Sequence, residues 1–80
     1  MTNNNKDKIL ETLIEVVTRN IGMRREDIDM DAPLDRYGTD SLQWANIAYE
    51  LSLGLNRRVS PEELASYGSV SGMMIAFSST

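Results

Sequence analysis

The sequence predicts an all-α fold, a bundle of three main helices and a short third helix, with a long loop between helices 1 and 2. Apolar residues recur at spacings of three and four in separate segments, and residues typical of helix starts and ends bound these segments. The 80-residue chain has neither Cys nor His, so it must be stable without a disulfide or a Cys/His metal site. A chain this short then needs a compact, mostly helical core.

The first helix is expected from about Lys6 to Asn20. Asn4 or Asn5 can cap its start, and Asn20 together with Gly22 suits its end. Its apolar residues form one face of an amphipathic helix: Ile9, Leu10, Leu13, Ile14, Val16, Val17 and Ile21.

A long connection is expected from Met23 to Asp40, because Pro33 and Gly38 are incompatible with a continuous helix. The negative charge is concentrated here, since residues 26–40 hold six acids and one Arg, whereas the whole chain has a net charge of −4. Long loops in small domains are often functional, so a role beyond linkage is expected. Four apolar residues should hold the loop against the core: Ile28, Met30, Leu34 and Tyr37.

The second helix is expected over Ser41–Leu55, with Asp40 or Thr39 as its N-cap and Gly54 marking its end. We expect its wider apolar face to be buried: Trp44, Ile47, Ala48, Leu51 and Leu55. A second, narrower apolar face should be partly exposed and is a candidate partner surface, although a wide buried face would also explain it. This second face consists of Leu42, Ala45 and Tyr49.

The third helix is predicted by Ser60 as N-cap, Pro61 at the first helical position and Glu63 at the third, which together allow a capping box. Gly68 should end this helix after about two turns. Ser69 then caps the last helix. The apolar residues of the last helix are Val70, Met73, Met74 and Phe77.

The composition excludes several classes of function. Without Cys or His the chain has no thiol nucleophile and no histidine base for a serine hydrolase, so we expect no catalytic residue and no metal site. The eight basic residues are scattered and the net charge is negative, which argues against nucleic-acid binding. No apolar run approaches the roughly 20 residues of a membrane span, and the N-terminus lacks the apolar segment of a signal peptide. We therefore expect a cytoplasmic protein that does not bind membranes.

The segment Gly38–Leu42 is the candidate functional motif. Gly38 permits a sharp turn, which puts Ser41 in the first turn of the second helix with its hydroxyl outward. The free N–H groups and the positive end of the helix dipole favour an anion there, which suits a serine that carries a phosphate-linked group. The same residues also form an ordinary capped helix start, so the segment alone leaves both interpretations open.

From Ile9 to Phe77 the chain resembles the acyl carrier protein family, in which a G-x-D-S-L motif opens the second of four helices. Further segments match in order and spacing: the D-x-D-A-P-L-D stretch at Asp29–Asp35, the helix start at Ser60–Leu64, and the pair Ser69-Val70. The resemblance implies a four-helix acyl-carrier-protein-like bundle and a single acyl carrier domain over residues 1–80.

In this family a phosphopantetheinyl transferase moves the 4′-phosphopantetheine arm of coenzyme A to the motif serine, and acyl or polyketide intermediates are carried as thioesters on the arm's thiol. The resemblance implies that Ser41 is the attachment residue and that Gly38, Asp40 and Leu42 complete the cofactor-binding site. Asp40 would also position the transferase. The implied partners are acyltransferase, ketosynthase and other synthase enzymes, served by a monomeric, non-catalytic carrier in polyketide or fatty acid biosynthesis.

Partner docking is expected to depend more on the acidic loop than on charge from the second helix, because Glu50 is the only acid of that helix. Two alternatives stay open. A peptidyl or aryl carrier of nonribosomal peptide synthesis is disfavoured by Thr39, because such carriers usually have a second glycine there. An unmodified helical adaptor with the same fold would use the second apolar face to bind one partner. The residues expected to dock partners are Leu42, Ala45, Tyr49, Asp35 and Asp40.

Overall fold

The structure is a computed structural model in which residues 5–78 are described. These residues form four helices and, within this range, no strand: α1 (Asn5–Ile21), α2 (Ser41–Leu55), α3 (Pro61–Tyr67) and α4 (Val70–Ser78). The predicted all-α fold is confirmed, including the short third helix and the long loop. Asn4, a candidate cap of α1, lies outside the described residues. No helix within residues 5–78 is long and apolar enough to cross a membrane.

Helix α1 ends where the sequence predicts. Gly22 has a left-handed backbone with φ 74°, a conformation that costs glycine little. The N–H groups of Gly22 and Met23 both reach the carbonyl of Thr18, at 2.9 and 3.0 Å, and the amide of Asn20 donates to the Val16 carbonyl at 2.8 Å. Carbonyls of the last turn are therefore satisfied, as in a Schellman-type helix end.

One hydrophobic core joins all four helices and the connecting loop. α1 packs against α2 and α4, and α3 bridges α2 and α4. α1 and α2 run antiparallel: Gln43 at the start of α2 bonds to Asn20 at the end of α1, and Gly54 near the end of α2 lies beside Thr12 of α1. The largest fully buried side chains are Leu13, Val17, Leu34, Ile47, Leu51, Leu64, Val70 and Met73.

Helix α2 buries its wider predicted face, with Leu55 half-buried at the end; the buried residues are Trp44, Ile47, Ala48 and Leu51. The predicted bounds of this helix, Ser41–Leu55, are confirmed. Gly54 does not form its end, however, because Asn56 follows the last helical residue and takes the left-handed conformation with φ 55° and ψ 46°. Gly54 lies inside the helix, where a Cβ atom would stand 2.9 Å from Cγ2 of Thr12. This glycine therefore allows the close approach of α1 and α2.

The loop between α1 and α2 contains two short turns of 3-10 helix, Arg25–Asp27 and Leu34–Tyr37. As predicted, Ile28 and Leu34 are buried, and Tyr37 packs partly against the core. The Tyr37 hydroxyl also accepts the backbone N–H of Asp29 at 2.9 Å. Apolar contacts therefore hold the loop against the bundle at both of its ends.

Met30 does not hold the loop against the core, and that part of the prediction is wrong, because its side chain is 37% exposed. Its backbone makes the contact instead: the Met30 carbonyl accepts the N–H of Ser71 at 2.9 Å. Beside it, the Ser71 hydroxyl donates to Asp31 at 2.6 Å, and the N–H of Leu34 donates to the Gly68 carbonyl at 2.7 Å. The acidic loop is thus fixed to the junction between α3 and α4.

The predicted caps of the last two helices are confirmed. Ser60 Oγ accepts the N–H of Glu63 at 3.0 Å, and Glu63 Oε1 accepts the N–H of Ser60 at 3.4 Å, which completes the capping box of α3. α3 ends before Gly68, whose φ is 82°. Ser69 Oγ accepts the N–H of Gly72 at 3.0 Å and caps α4.

A polar cluster holds α3 against the ends of α2 and α4. The Tyr67 hydroxyl donates to Glu63 Oε2 at 2.7 Å, and Arg57 contacts the same oxygen at 3.3 Å. The Arg57 guanidinium lies 4.8 Å from the ring centroid of Phe77, and the Tyr67 ring meets the Phe77 ring edge to face. The hydrogen bond from Tyr67, with smaller effects from Ser60 and Arg57, lowers the pKa of Glu63 despite its partial burial.

Candidate functional site

Ser41 is the first residue of α2, and it is exposed. The chain reaches it through Gly38, which has φ 79° and ψ 25°, in the left-handed region that favours glycine. The hydroxyl of Thr39 donates to the Leu34 carbonyl at 2.8 Å. Thr39 therefore ties the turn back to the loop, and of the two predicted caps it is Asp40 that caps α2.

A reciprocal capping box surrounds Ser41. Asp40 Oδ1 accepts the N–H of Gln43 at 2.9 Å, and Gln43 Oε1 accepts the N–H of Asp40 at 3.2 Å. Gln43 Nε2 also donates to the Asn20 carbonyl at 3.2 Å, which ties the start of α2 to the end of α1. Sequence reasoning missed Gln43, although an acid three residues before a Gln is a recognisable capping-box pattern.

The Ser41 hydroxyl has no hydrogen-bond partner among residues 5–78, unlike the other serines described in the structure. Ser60 and Ser69 use their hydroxyls as helix caps, and Ser71 donates to Asp31. The remaining serines donate to a carbonyl of the preceding turn of their own helix: Ser52, Ser66 and Ser78. Ser41 is thus exposed, and its hydroxyl oxygen has no hydrogen-bond partner within the described residues.

The surroundings of this oxygen suit an attached anion. Ser41 lies at the N-terminal, positive end of a 15-residue helix. N–H groups of the first helical turn have no acceptor within the helix. Asp40 occupies the N–H of Gln43, so those of Ser41 and Leu42 stay available to a phosphate on the Ser41 oxygen.

A groove of about 320 Å³ lies beside Ser41, between α2 and α3. Trp44 lines it from α2, and Pro61, Glu62 and Ala65 line it from α3. A larger cleft of about 570 Å³ lies at the other end of α2, where Leu55 and Phe77 line it. That cleft contains none of the predicted site residues, so volume alone does not locate the site.

The second apolar face of α2 is exposed, as predicted. Leu42 is 70% exposed and Tyr49 67%, whereas Ile47 and Leu51 are fully buried. Leu53, 66% exposed, extends this face and was not predicted to belong to it, although positions 42, 49 and 53 fall on one line of a helix. We call the exposed set the outer face of α2: Leu42, Ala45, Tyr49 and Leu53.

The acids near this site fall into those with a bonding partner and those without an ion pair. Asp27 forms an ion pair with Arg24 at 3.1 Å, and Asp40 caps α2. Glu50, the one acid of α2, forms a salt bridge with Arg19 of α1. Asp35 is exposed and has no ion pair within residues 5–78. The outer face of α2 is therefore apolar, and among the described residues unpaired negative charge near the site lies in the loop before it and at Glu62, beside the groove.

These residues fit a phosphate-linked arm, because an exposed, uncommitted hydroxyl stands at a helix N-terminus beside an open groove. The comparisons agree: a family model described as the phosphopantetheine attachment site matches residues 11–76. The match spans the loop, the Ser41 motif, α2 and α3. Searches of curated proteins and of solved structures gave no match.

Proposed function

Because this chain belongs to the phosphopantetheine attachment-site family, we propose that Ser41 is the residue to which its arm is attached. The protein is a phosphopantetheine carrier, and its prosthetic group is 4′-phosphopantetheine. When bound, this group supplies the thiol that the chain itself lacks, and acyl groups are held there as thioesters. The observation that carries the assignment is the Ser41 hydroxyl, exposed and without a hydrogen-bond partner among residues 5–78.

The neighbouring residues prepare Ser41 for modification. Gly38 makes the turn that exposes it, and the capping box between Asp40 and Gln43 fixes the backbone on either side. During attachment the Ser41 oxygen would bond to the phosphorus of coenzyme A that bears pantetheine, and the bond from that phosphorus to the bridging oxygen of the diphosphate would break. Adenosine bisphosphate would leave with that oxygen, and the transferase would take up the proton of the serine hydroxyl. The N–H groups of Ser41 and Leu42 would then stabilise the negative charge of the phosphate.

We propose that the cargo consists of acyl or polyketide intermediates of polyketide or fatty acid biosynthesis. The resemblance of Asp29–Asp35 and of the α3 start to carriers of this kind supports the assignment. Thr39, in place of a second glycine, argues against a peptidyl or aryl carrier. The proposed partners are a phosphopantetheinyl transferase, an acyltransferase and a ketosynthase.

Partners would dock on two neighbouring surfaces as the monomeric domain passes between enzymes. The outer face of α2 offers exposed apolar side chains, and the loop before it offers Asp35 and Asp40. These contacts must be weak and short-lived so that one enzyme can replace another. The chain itself would make or break no bond of the cargo.

The test is an intact-mass measurement after incubation with coenzyme A and a transferase of broad specificity. We expect the wild type to gain the mass of one arm and Ser41→Ala to gain none. Ser66→Ala is a matched control, because Ser66 is also exposed but its hydroxyl is bonded to the Glu63 carbonyl; it should be modified like the wild type. Modification of Ser41→Ala would refute the assignment of Ser41.

The second candidate is an unmodified adaptor that binds one partner through the outer face of α2. The exposure of Leu42 and Tyr49 favours it, since both are large apolar side chains. A wild-type protein that gains no mass would leave this candidate in place of the carrier.

A further inference from the structure

Trp44 combines near-complete burial with a position beside the attachment residue. It lies one helical turn after Ser41, is 8% exposed and lines the groove that contains Ser41. It is the single Trp of the chain. It also belongs to the same hydrophobic core as the fully buried side chains of Ile47 and Leu64, so one residue is part of both the groove and the core.

The indole N–H of Trp44 has no hydrogen-bond partner among residues 5–78. Within the same range, no side-chain nitrogen or oxygen that is sealed from solvent lacks a partner, so this N–H reaches solvent. Trp44 is otherwise buried, and the groove beside Ser41 is an open surface that this residue lines. A buried Trp ordinarily has its N–H bonded, and an unpaired donor at such a site favours any acceptor that can reach it.

We propose that Trp44 is a positioning residue for the arm: its indole N–H donates a hydrogen bond to an oxygen acceptor of the arm, which lies in the groove between α2 and α3. This inference rests on the proposed attachment at Ser41. The phosphate and the amide carbonyls of pantetheine are acceptors of the required kind. Pro61 and Ala65 form the opposite, apolar wall and would contact the methylene groups of the arm.

The experiment uses the full chain, labelled with nitrogen-15, before and after attachment of the arm. A single indole N–H resonance is expected, because there is one Trp. We expect attachment to shift this resonance and to slow exchange of the indole proton with water about fivefold, the factor that corresponds to a hydrogen bond of about 1 kcal/mol. Ser41→Ala, treated with the same reagents, should show the resonance of the unmodified protein.

Trp44→Phe keeps an aromatic wall but lacks the donor, and circular dichroism checks that it folds. We expect it to gain the full mass of the arm, whereas the resonances of its arm narrow towards those of free pantetheine. Tyr49→Phe is the matched control, because Tyr49 is an exposed aromatic residue of the outer face of α2; it should leave the arm resonances as in the wild type.

The outcomes separate this inference from the proposed function. A wild-type protein that gains no mass overturns both. A protein that gains the arm but keeps its indole shift and exchange rate overturns the role of Trp44 alone. The same conclusion follows if the arm resonances of Trp44→Phe match those of the wild type.

Discussion

Asp40 and Gln43 bond to each other's backbone N–H groups, at 2.9 and 3.2 Å, across the two residues Ser41 and Leu42. The pair fixes the direction in which the chain enters α2. Gln43 also donates a hydrogen bond to the carbonyl of Asn20, which joins the start of α2 to the end of α1. The Ser41 hydroxyl thus has no hydrogen-bond partner among residues 5–78, whereas the backbone on either side of Ser41 is fixed by hydrogen bonds. A modifying enzyme meets the hydroxyl in a prepared position, which lowers the ordering cost of binding.

The first prediction concerns the cap. Asp40→Ala should lower the free energy of unfolding by about 1 kcal/mol, because it removes the acceptor of the Gln43 N–H. Asp40→Asn keeps an acceptor and should lose only a few tenths of a kcal/mol. Urea denaturation measures both. If Asp40→Asn keeps its stability but is modified more slowly by the transferase, the charge of Asp40 contributes to recognition. Equal losses of stability in Asp40→Ala and Asp40→Asn would contradict the capping role.

The second prediction concerns two helical glycines. A Cβ at Gly72 would collide with the backbone carbonyl oxygen of Tyr67, whereas at Gly54 it would meet the Thr12 methyl group at 2.9 Å. Since Ala is favoured over Gly in a helix by about 1 kcal/mol, both substitutions to Ala would otherwise stabilise. We expect Gly72→Ala to destabilise by about 2 kcal/mol, because a backbone atom cannot move aside.

Gly54→Ala is the matched comparison, and its loss in the free energy of unfolding should be smaller. Adding Thr12→Ser, which removes the contacting methyl group, should reduce that loss further. Thermal and urea unfolding of the four proteins test this ranking. A Gly72→Ala variant more stable than the wild type would show that α3 and α4 do not approach as described.

The third prediction is a pH dependence. The pKa of Glu63 is lowered in the folded protein, chiefly by the hydrogen bond from Tyr67. A lowered pKa stabilises the fold above the unfolded value of about 4.3, and this contribution is lost as the pH falls through the folded pKa. Glu63→Gln should therefore reduce the free energy of unfolding by about 0.5–1 kcal/mol at neutral pH, and the difference from the wild type should disappear in acid.

Glu62→Gln provides the control, because Glu62 is the neighbouring acid and is exposed. Its free energy of unfolding should stay close to that of the wild type at neutral and at acid pH. If the difference in the free energy of unfolding between Glu63→Gln and the wild type grows in acid, the direction given for the Glu63 pKa is contradicted.

The fourth prediction concerns the outer face of α2. Leu42→Ala and Tyr49→Ala should leave the free energy of unfolding within about 0.5 kcal/mol of the wild type, since both side chains are exposed. If these residues contact partners, each should lower kcat/KM for a docking enzyme about tenfold, which corresponds to about 1.4 kcal/mol.

Ile47→Ala is the contrasting variant, because Ile47 is fully buried on the other side of the same helix. It should destabilise by about 2–5 kcal/mol. Unchanged kinetics in both outer-face variants would remove that face from partner docking.

Much of the fold follows from local patterns in the sequence. The bounds of α2, the capping box of Ser60 and the buried face around Ile47 depend on helical spacing and capping chemistry, which act over a few residues. Gly54 was misread because its reason is a neighbour distant in sequence, Thr12. Met30 was misread because its backbone, and not its apolar side chain, makes the contact with α4.

The sequence likewise predicted only part of the candidate site. The position of Ser41 at the start of α2 was predictable from Gly38 and Asp40. That its hydroxyl stays unbonded could not be predicted, because this depends on where every neighbouring acceptor lies. The groove between Trp44 and Ala65 also required the packing of α3 on α2, which no spacing in the sequence specifies.

The salt bridge between Arg19 and Glu50 has a consequence for the kinetics of partner encounter. With its one acid neutralised by α1, α2 presents no net charge on its outer side. Long-range electrostatic steering of partners would then come from the acidic loop before α2 and not from the helix itself, so added salt should slow association through the loop charges alone. The apolar outer face of α2 would instead set how long each complex lasts once its side chains are in contact.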